Sequence, residues 1–269
     1  MKCKVKDIEI NYEVRGTGKP ILFFSGFATD MSIMAAGYEP IFKGKEGWKR
    51  IYIDHPGVGK TKGAYWIRSS DDILEIMLSF IECLIPEENF LIIGHSFGAY
   101  LARGVLKKKF NLIDGILLTC PVIEPQREKR DIDENIEDIK FFDEKIEKRI
   151  NERLQDEMYE SIKNTDHDFL EGLRNHGISF SFEIDELERP FEKPALILAG
   201  KQDQIVGYRD TIKIIKNYSR STFCIIDKGG HNIHIEQEQL FKVLVEEWLS
   251  RVDECLKAAK IGDIDYDQN

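Results

Sequence analysis

The stretch Phe90-Leu91-Ile92-Ile93-Gly94-His95-Ser96-Phe97-Gly98 decides the fold of this 269-residue chain. Four consecutive apolar residues are typical of a strand that is buried on both faces of a parallel sheet. The Gly-x-Ser-x-Gly sequence that follows fits a tight turn between a strand and a helix, and it contains Ser96. Apolar residues at helical spacing come next, at positions 100, 101, 105 and 106. The stretch therefore predicts a strand, a sharp turn that exposes a serine, and a helix.

Similar strand and helix patterns alternate along the rest of the chain. The alternating residues 2–14 predict a strand pair, which precedes the buried-strand patterns. The apolar runs span 21–24, 51–53, 116–118, 195–199 and 223–226, and the helical patterns span 31–43, 71–84, 97–108, 208–217 and 235–256. Such alternation predicts an α/β fold with a mostly parallel, doubly wound sheet.

The middle of the chain has a different pattern. Residues 124–193 hold 22 acidic and 12 basic residues, a net charge of −10 that equals the net charge of the whole chain. The segment has no buried-strand run, although 179–182 could be locally extended, and isoleucine and leucine recur at helical spacing at 132, 136, 139, 146, 150 and 154. We therefore expect a helical insertion over 121–193 that divides an α/β core into 1–120 and 194–269.

Composition excludes several classes of protein. No apolar run reaches the roughly 20 residues that a membrane helix needs, and the net charge of −10 argues against a nucleic-acid partner. The five cysteines are an odd number without a Cys-x-x-Cys pair, which argues against a disulfide scaffold or a cysteine zinc site and favours a reducing cytoplasm. We expect neither a metal nor a cofactor, and the oligomeric state cannot be predicted.

A serine hydroxyl needs a nearby base to act as a nucleophile. His231 follows the last strand run, and Asp203 follows the run before it. Because the carboxyl ends of strands in an open α/β sheet share one crevice, both side chains are expected near Ser96. The predicted roles are nucleophile for Ser96, base for His231 and orienting acid for Asp203. His234 is an alternative base, and Asp210 and Asp227 are alternative acids.

At this point the chain resembles the α/β-hydrolase superfamily, in its serine-nucleophile branch. The order of serine, aspartate and histidine fits that superfamily, and Asp54-His55-Pro56-Gly57-Val58-Gly59 resembles its Asp-x-Pro-Gly-x-Gly loop. The resemblance implies a cap at the position of the acidic segment. It also implies an oxyanion hole made by the backbone N–H groups of Phe27 and Phe97. Ser25 stands where the family usually has histidine.

The activity implied by this resemblance is hydrolysis of a small carboxylic ester or amide through an acyl-enzyme. A non-hydrolytic small-molecule binding protein and a cofactor-independent lyase are alternatives, because one fold hosts many functions. We expect the acidic segment either to promote solubility or to disfavour anionic substrates. The candidates for the substrate pocket are Ser25, Phe141, Phe142, Met158, Tyr159 and Phe180.

Overall fold

The computed structural model describes residues 1–133 and 142–266, with side chains up to residue 259. Its strands are β1 (Lys2–Val5), β2 (Ile8–Arg15), β3 (Lys19–Phe24), β4 (Trp48–Ile53), β5 (Phe90–His95), β6 (Ile113–Thr119), β7 (Ala195–Gly200) and β8 (Ser221–Ile226). They form one sheet in the order β1-β2-β4-β3-β5-β6-β7-β8. The first two strands pair antiparallel, as β2 does with β4, and all other neighbours are parallel. The predicted mostly parallel sheet is confirmed.

The helices alternate with the strands as predicted. They are α1 (Met31–Phe42), α2 (Ser70–Leu84), α3 (Phe97–Lys108), α4 (Glu144–Ile162), α5 (His167–His176), α6 (Ile233–Glu236) and α7 (Glu238–Tyr266). Two predicted helices differ in detail. The pattern at 208–217 forms a 3-10 helix over Asp210–Asn217, and the last helical pattern is divided into α6 and α7.

Helices cover both faces of the sheet, which explains why its central strands read as continuous apolar runs. Helix α2 packs against α3, and α1 packs against α7. All six residues of β5 are buried, and so are all six of β7. The main core therefore lies on the two faces of β3, β5, β6 and β7.

The segment between β6 and β7 carries α4 and α5, and we call residues 121–193 the insertion. Helix α4 lies against α1 and α6. The predicted helical stripe is only partly correct. Ile146, Ile150 and Leu154 lie on α4, but Ile132 precedes it in irregular chain. The other two positions, 136 and 139, lie outside the described residues. No strand is assigned to 179–182.

Hydrogen bonds from both main-chain and side-chain atoms join the insertion to the rest of the chain. The backbone N–H of Asp30 donates to the carbonyl oxygen of Ser161 at 2.8 Å, and the N–H of Asp166 donates to that of Gly57 at 2.9 Å. Further hydrogen bonds join Thr165 Oγ1 to Ala28 O and Phe180 N to Tyr100 OH, each at 2.8 Å.

Arg103, on α3, holds both ends of the insertion. Its guanidinium donates to the carbonyl oxygen of Val122 at 2.6 Å and forms a two-pronged pair with the Asp185 carboxylate at 2.9 and 2.5 Å. Only 1% of the Arg103 side chain is exposed, so losing the Asp185 carboxylate would leave a buried charge unpaired. The helix that begins after Ser96 thus also fixes where the insertion leaves and rejoins the sheet.

All five cysteines are free, but two of them are close in space. Cys3 on β1 and Cys83 on α2 have Sγ atoms 3.1 Å apart. Their sequence separation concealed this proximity. Among the helices of the described residues, none is long and apolar enough to cross a membrane.

Candidate active site

Ser96 occupies a strained turn between β5 and α3. Its backbone has φ 54° and ψ −118°, a conformation that is costly for a residue with a side chain. Two glycines make the turn possible. A Cβ on Gly94 would lie 2.5 Å from the carbonyl oxygen of Gly98, and a Cβ on Gly98 would lie 2.1 Å from that of Phe24. The Gly-x-Ser-x-Gly spacing is therefore a packing requirement of this turn.

Asp203 and His231 form a hydrogen-bonded pair beyond the ends of β7 and β8. The Nδ1 atom of His231 lies 2.8 Å from Oδ2 of Asp203. The other carboxylate oxygen of Asp203 accepts from the backbone N–H groups of Ile205 and Val206, at 2.8 and 3.0 Å. Burial alone would raise the pKa of Asp203, but the His231 charge and these hydrogen bonds hold that pKa below its ordinary value. The carboxylate is therefore suited to stay ionised beside the imidazole.

The loop that carries His231 is fixed by close backbone packing. A Cβ on Gly200 would lie 2.1 Å from the carbonyl oxygen of Gly230. The N–H of Gly230 donates to Oε2 of Glu236 at 2.6 Å. Burial raises the pKa of Glu236, and the nearby Asp203 charge adds to the rise, although the Gly230 hydrogen bond opposes it.

The loop after β3 lies directly beside Ser96. A Cβ on Gly26 would be 3.4 Å from the Ser96 Cβ. The rings of Phe27 and Phe97 meet edge to face with centroids 5.4 Å apart. The two residues predicted to supply oxyanion N–H groups are thus in contact with each other beside Ser96.

Ser25 has a local role in this loop. Its buried hydroxyl donates to the carbonyl oxygen of Thr29 at 2.7 Å and lies 3.1 Å from Nε2 of His55. This histidine comes from the Asp-x-Pro-Gly-x-Gly loop. His55 therefore contacts the loop after β3 at Ser25, the position at which the family usually has a histidine.

A cavity of about 790 Å³ opens above Ser96, a size typical of small-molecule sites. Its wall includes Gly26, Phe27, Ser96, Phe97, Met158 and His231. Ser96 and His231 share this wall, and Asp203 lies behind His231. Of the pocket candidates from the sequence, Met158 is part of the wall.

The other pocket candidates lie elsewhere. Tyr159 is 64% exposed, because it points away from the side of α4 that carries Met158. Phe180 stacks on Tyr100 with centroids 4.4 Å apart and belongs to the core. Phe142 lies beneath the Lys228 ammonium, 5.8 Å from its ring centroid, and is not part of the cavity wall. Ser25 is buried under its own loop, and Phe141 lies outside the described residues.

The alternative base and acids lie beside other groups. Nε2 of His234 lies 3.5 Å from Oε2 of Glu157, and His234 is not part of the cavity wall. Asp210 accepts from the N–H of Asp131 at 3.0 Å, and Asp227 accepts from the Gln202 side chain at 3.1 Å.

The described residues bring one group of potential metal ligands together, and it includes Cys120. Ligand atoms of Cys120, Asp203 and His231 lie within 4.8 Å of one another. Burial raises the pKa of the Cys120 thiol well above its ordinary value, and the Asp203 charge adds to the rise. The Sγ atom of Cys120 also lies 3.5 Å from the carbonyl oxygen of Gly230, so this thiol packs against the loop that carries His231.

The sequence analysis missed three arginines in the cavity wall: Arg127, Arg130 and Arg174. All three come from the insertion. No pattern in the sequence distinguishes them from the other charged residues of that acidic segment.

Comparison with known proteins shows the family and the fold. The profile of the family described as serine aminopeptidase, S33, matches residues 19–238. A solved alpha/beta superfamily hydrolase from Oenococcus oeni PSU-1 has a TM-score of 0.80 at 27% identity, covering 91% of this chain and 96% of that one.

Two curated proteins are similar over nearly their whole length. A protein of Agrobacterium fabrum (strain C58), provisionally named carbamate hydrolase RutD, is 21% identical over 91% of this chain and 100% of its own. The pimeloyl-[acyl-carrier protein] methyl ester esterase of Legionella pneumophila (strain Paris) is 22% identical over 90% of this chain and 100% of its own. The matching profile, the sheet and these relatives show that the chain belongs to the serine aminopeptidase S33 family of the α/β-hydrolase superfamily. It is an enzyme of the α/β-hydrolase type.

Proposed function

We propose that this protein hydrolyses small carboxylic esters or amides through an acyl-enzyme formed on Ser96. The observation that carries the proposal is the Asp203–His231 hydrogen bond of 2.8 Å next to a cavity wall that contains both His231 and Ser96. A strained serine, an oriented imidazole and a buried carboxylate are the parts that serine hydrolysis needs.

His231 acts as the base in the first step. Its Nδ1–H donates to Asp203, which leaves Nε2 free to take the proton from Ser96 Oγ as that oxygen attacks the carbonyl carbon. Asp203 holds the neutral tautomer in place and stabilises the imidazolium that forms. Its lowered pKa keeps it ionised for this task.

The negative charge that develops on the carbonyl oxygen is stabilised by the backbone N–H groups of Phe27 and Phe97. Each such donor contributes a few kcal/mol in a water-poor site, roughly 3–4 kcal/mol. The helix dipole of α3, which begins at Phe97, favours the same charge.

The leaving alcohol or amine departs with the proton that His231 returns to it. A water then loses a proton to His231 and attacks the acyl carbon, and Ser96 leaves with that proton. No cofactor enters this scheme.

The insertion, residues 121–193, acts as a cap over a core made of 1–120 and 194–269. Support for this division comes from its position between β6 and β7 and from Met158 in the cavity wall. In this arrangement the core supplies the reacting groups, and the cap determines which substrates reach them.

The test combines a fluorophosphonate probe with 4-nitrophenyl acetate and butyrate. We expect one label per chain, located on Ser96, and ester turnover that falls on the order of a thousandfold or more in Ser96→Ala. Turnover that survives in Ser96→Ala would remove that residue from the mechanism. Labelling of Ser96 without turnover of any ester or amide would instead favour a binding protein.

A further inference from the structure

The cavity wall is positively charged, unlike the insertion from which most of it comes. Three arginines and one acidic residue contribute charged side chains to it: Arg127, Arg130, Arg174 and Glu128. The acidic residues of α4, by contrast, are largely exposed, for example Glu144, Glu152, Asp156 and Glu160. Arg127 and Arg174 are exposed as well, but they line the cavity. Because exposed charges are screened over about 8–10 Å at physiological salt, the charges nearest to a bound substrate contribute most to the potential that it meets.

Arg130 contributes charge, but its hydrogen-bond donors are already used. Its guanidinium donates to the carbonyl oxygens of Glu124, Pro125 and Ile205, at 2.9, 3.1 and 2.8 Å. These bonds hold the start of the insertion against the loop that contains Asp203. Arg130 therefore shapes the wall and has few donors left for a ligand.

Arg174 differs because its donors are free. It lies in the last turn of α5, with its guanidinium carbon 4.6 Å from the centroid of the Phe27 ring. Within residues 1–133 and 142–259, no carboxylate pairs with it. Stacking uses only the face of a guanidinium, so the N–H groups along its edge can still bind a carboxylate in a two-pronged pair.

The stacking partner places this cation next to the reaction. Phe27 is the residue whose backbone N–H is proposed to hold the oxyanion, and its loop lies against Ser96. A substrate chain that runs from a carbonyl at Ser96 along the Phe27 ring would reach Arg174 within the same cavity. Arg127, exposed and also without an ion-pair partner among the described side chains, adds a second cation to the wall.

We propose that the substrate carries a carboxylate and that Arg174 binds it, making Arg174 a specificity-determining residue. This inference rests on the hydrolase function proposed above. It replaces the expectation, drawn from the net charge of the insertion, that anionic substrates are disfavoured. The net charge of the segment comes mostly from side chains away from the cavity, whereas the four charged side chains that line the cavity have a net positive charge.

The experiment compares mono-4-nitrophenyl adipate with 4-nitrophenyl hexanoate, two esters with the same number of acyl carbons. Only the first has a terminal carboxylate. We expect wild type to have the higher kcat/KM for the adipate ester, and Arg174→Gln to lower the ratio of the two kcat/KM values by about tenfold or more. Arg174→Lys should retain part of the preference, because it keeps the charge and loses the planar fork.

Arg149→Gln is the matched control. Arg149 is exposed on α4, belongs to the same insertion, and is not part of the cavity wall. Its substitution removes one positive charge without touching the proposed contact. A ratio that is unchanged in Arg174→Gln, or that falls equally in Arg149→Gln, would overturn the inference while leaving the hydrolase function standing.

A binding measurement separates this inference from the hydrolase function. Calorimetric titration of the Ser96→Ala protein with monomethyl adipate should give a dissociation constant that rises about tenfold or more when Arg174→Gln is added. Dimethyl adipate, which has no carboxylate, should bind to the Ser96→Ala protein with the same dissociation constant whether or not Arg174→Gln is present. If wild type hydrolyses neither nitrophenyl ester, the hydrolase function fails, and this titration still decides the inference. Inorganic phosphate that competes as well as adipate would overturn the assignment to a carboxylate.

Discussion

The carboxylate of Glu157 lies 3.5 Å from the imidazole of His234, three residues beyond His231. Burial alone would raise the pKa of Glu157, but its pairs with His234 and Arg153 hold that pKa below its ordinary value. The contact joins α4 of the insertion to α6. Glu157 is thus the neighbouring carboxylate of His234, as Asp203 is that of His231.

This arrangement predicts different outcomes for the two histidines. His231→Ala should lower kcat/KM for a nitrophenyl ester on the order of a thousandfold or more. His234→Ala should keep most of the activity and lose stability, because it leaves the half-buried Glu157 with one partner fewer. Ester kinetics and denaturant unfolding of both variants provide the measurement. If His234→Ala were the inactive one, the base would have to be reassigned.

The pH dependence of the reaction should show one ionisation on the acid side. Asp203 has a lowered pKa, so it stays ionised as pH falls towards the range in which an imidazole gains a proton. A protonated imidazole cannot accept the Ser96 proton, and kcat/KM should therefore fall with pH along a single titration curve. A profile of kcat/KM against pH checks this. A slope that corresponds to two protons would show that a second group must also lose a proton for activity.

Glu236→Gln should stabilise the protein at neutral pH. The pKa of Glu236 is raised in the folded protein, whereas the unfolded chain ionises at the ordinary value. The free energy of unfolding therefore falls as pH rises from the ordinary pKa to the raised one. Glutamine keeps an acceptor for the Gly230 N–H and carries no charge. The gain in the free energy of unfolding should be absent at acid pH, grow as pH rises above the ordinary glutamate pKa, and level off above the raised one. Urea unfolding at several pH values measures it, and a gain that does not vary with pH would contradict the assignment.

Replacement of Ser96 by glycine should make the fold more stable than replacement by alanine. Both variants lack the hydroxyl, so only the backbone differs. At φ 54° and ψ −118° a Cβ is strained by about 1–3 kcal/mol, which exceeds the extra cost of ordering glycine, about 0.5–1 kcal/mol. The free energies of unfolding of the two variants give the comparison. Equal stabilities would mean that the turn relaxes once the serine is gone.

Gly200→Ala should destabilise the protein and slow the reaction. The added Cβ would meet the backbone of Gly230, which cannot rotate away, and the loop bearing His231 would have to shift at a cost of about 1–3 kcal/mol. Gly172→Ala is the control. Gly172 lies in α5, and a Cβ added there would meet nothing within 4 Å. We therefore expect Gly172→Ala to leave the free energy of unfolding unchanged or to raise it by about 0.5–1 kcal/mol. Thermal unfolding and kcat/KM of both variants test the pair, and normal kinetics in Gly200→Ala would show that the loop tolerates the displacement.

The strands of the sheet were predictable because burial on both faces forces continuous apolar runs. The turn at Ser96 was predictable because only glycine fits at 94 and 98. The 3-10 helix over Asp210–Asn217 was not, since its apolar spacing also fits an α-helix. The isoleucine pattern suggested one long helical stripe, but Ile132 lies in irregular chain before α4.

The walls of the cavity were the least predictable part. Apolar residues such as Phe180 were candidates for the pocket, but the same residues are needed for a core, and Phe180 packs there against Tyr100. Arg174 was missed because its significance depends on Phe27, 147 positions away in sequence. Charge summed over a segment does not record which side chains line the cavity.

The hydrogen bonds that seat the insertion have a consequence for how this enzyme can change. Two of them join backbone atoms on both sides: Asp30 to Ser161, and Asp166 to Gly57. Main-chain groups are present whatever the side chain, so substitutions elsewhere on α4 and α5 leave these attachments in place. Selection acting on Met158 or Arg174 can therefore alter substrate preference while the docking of the helices is preserved. Mutant libraries confined to those two helices should yield folded variants with new preferences more often than libraries in the loops around Ser96.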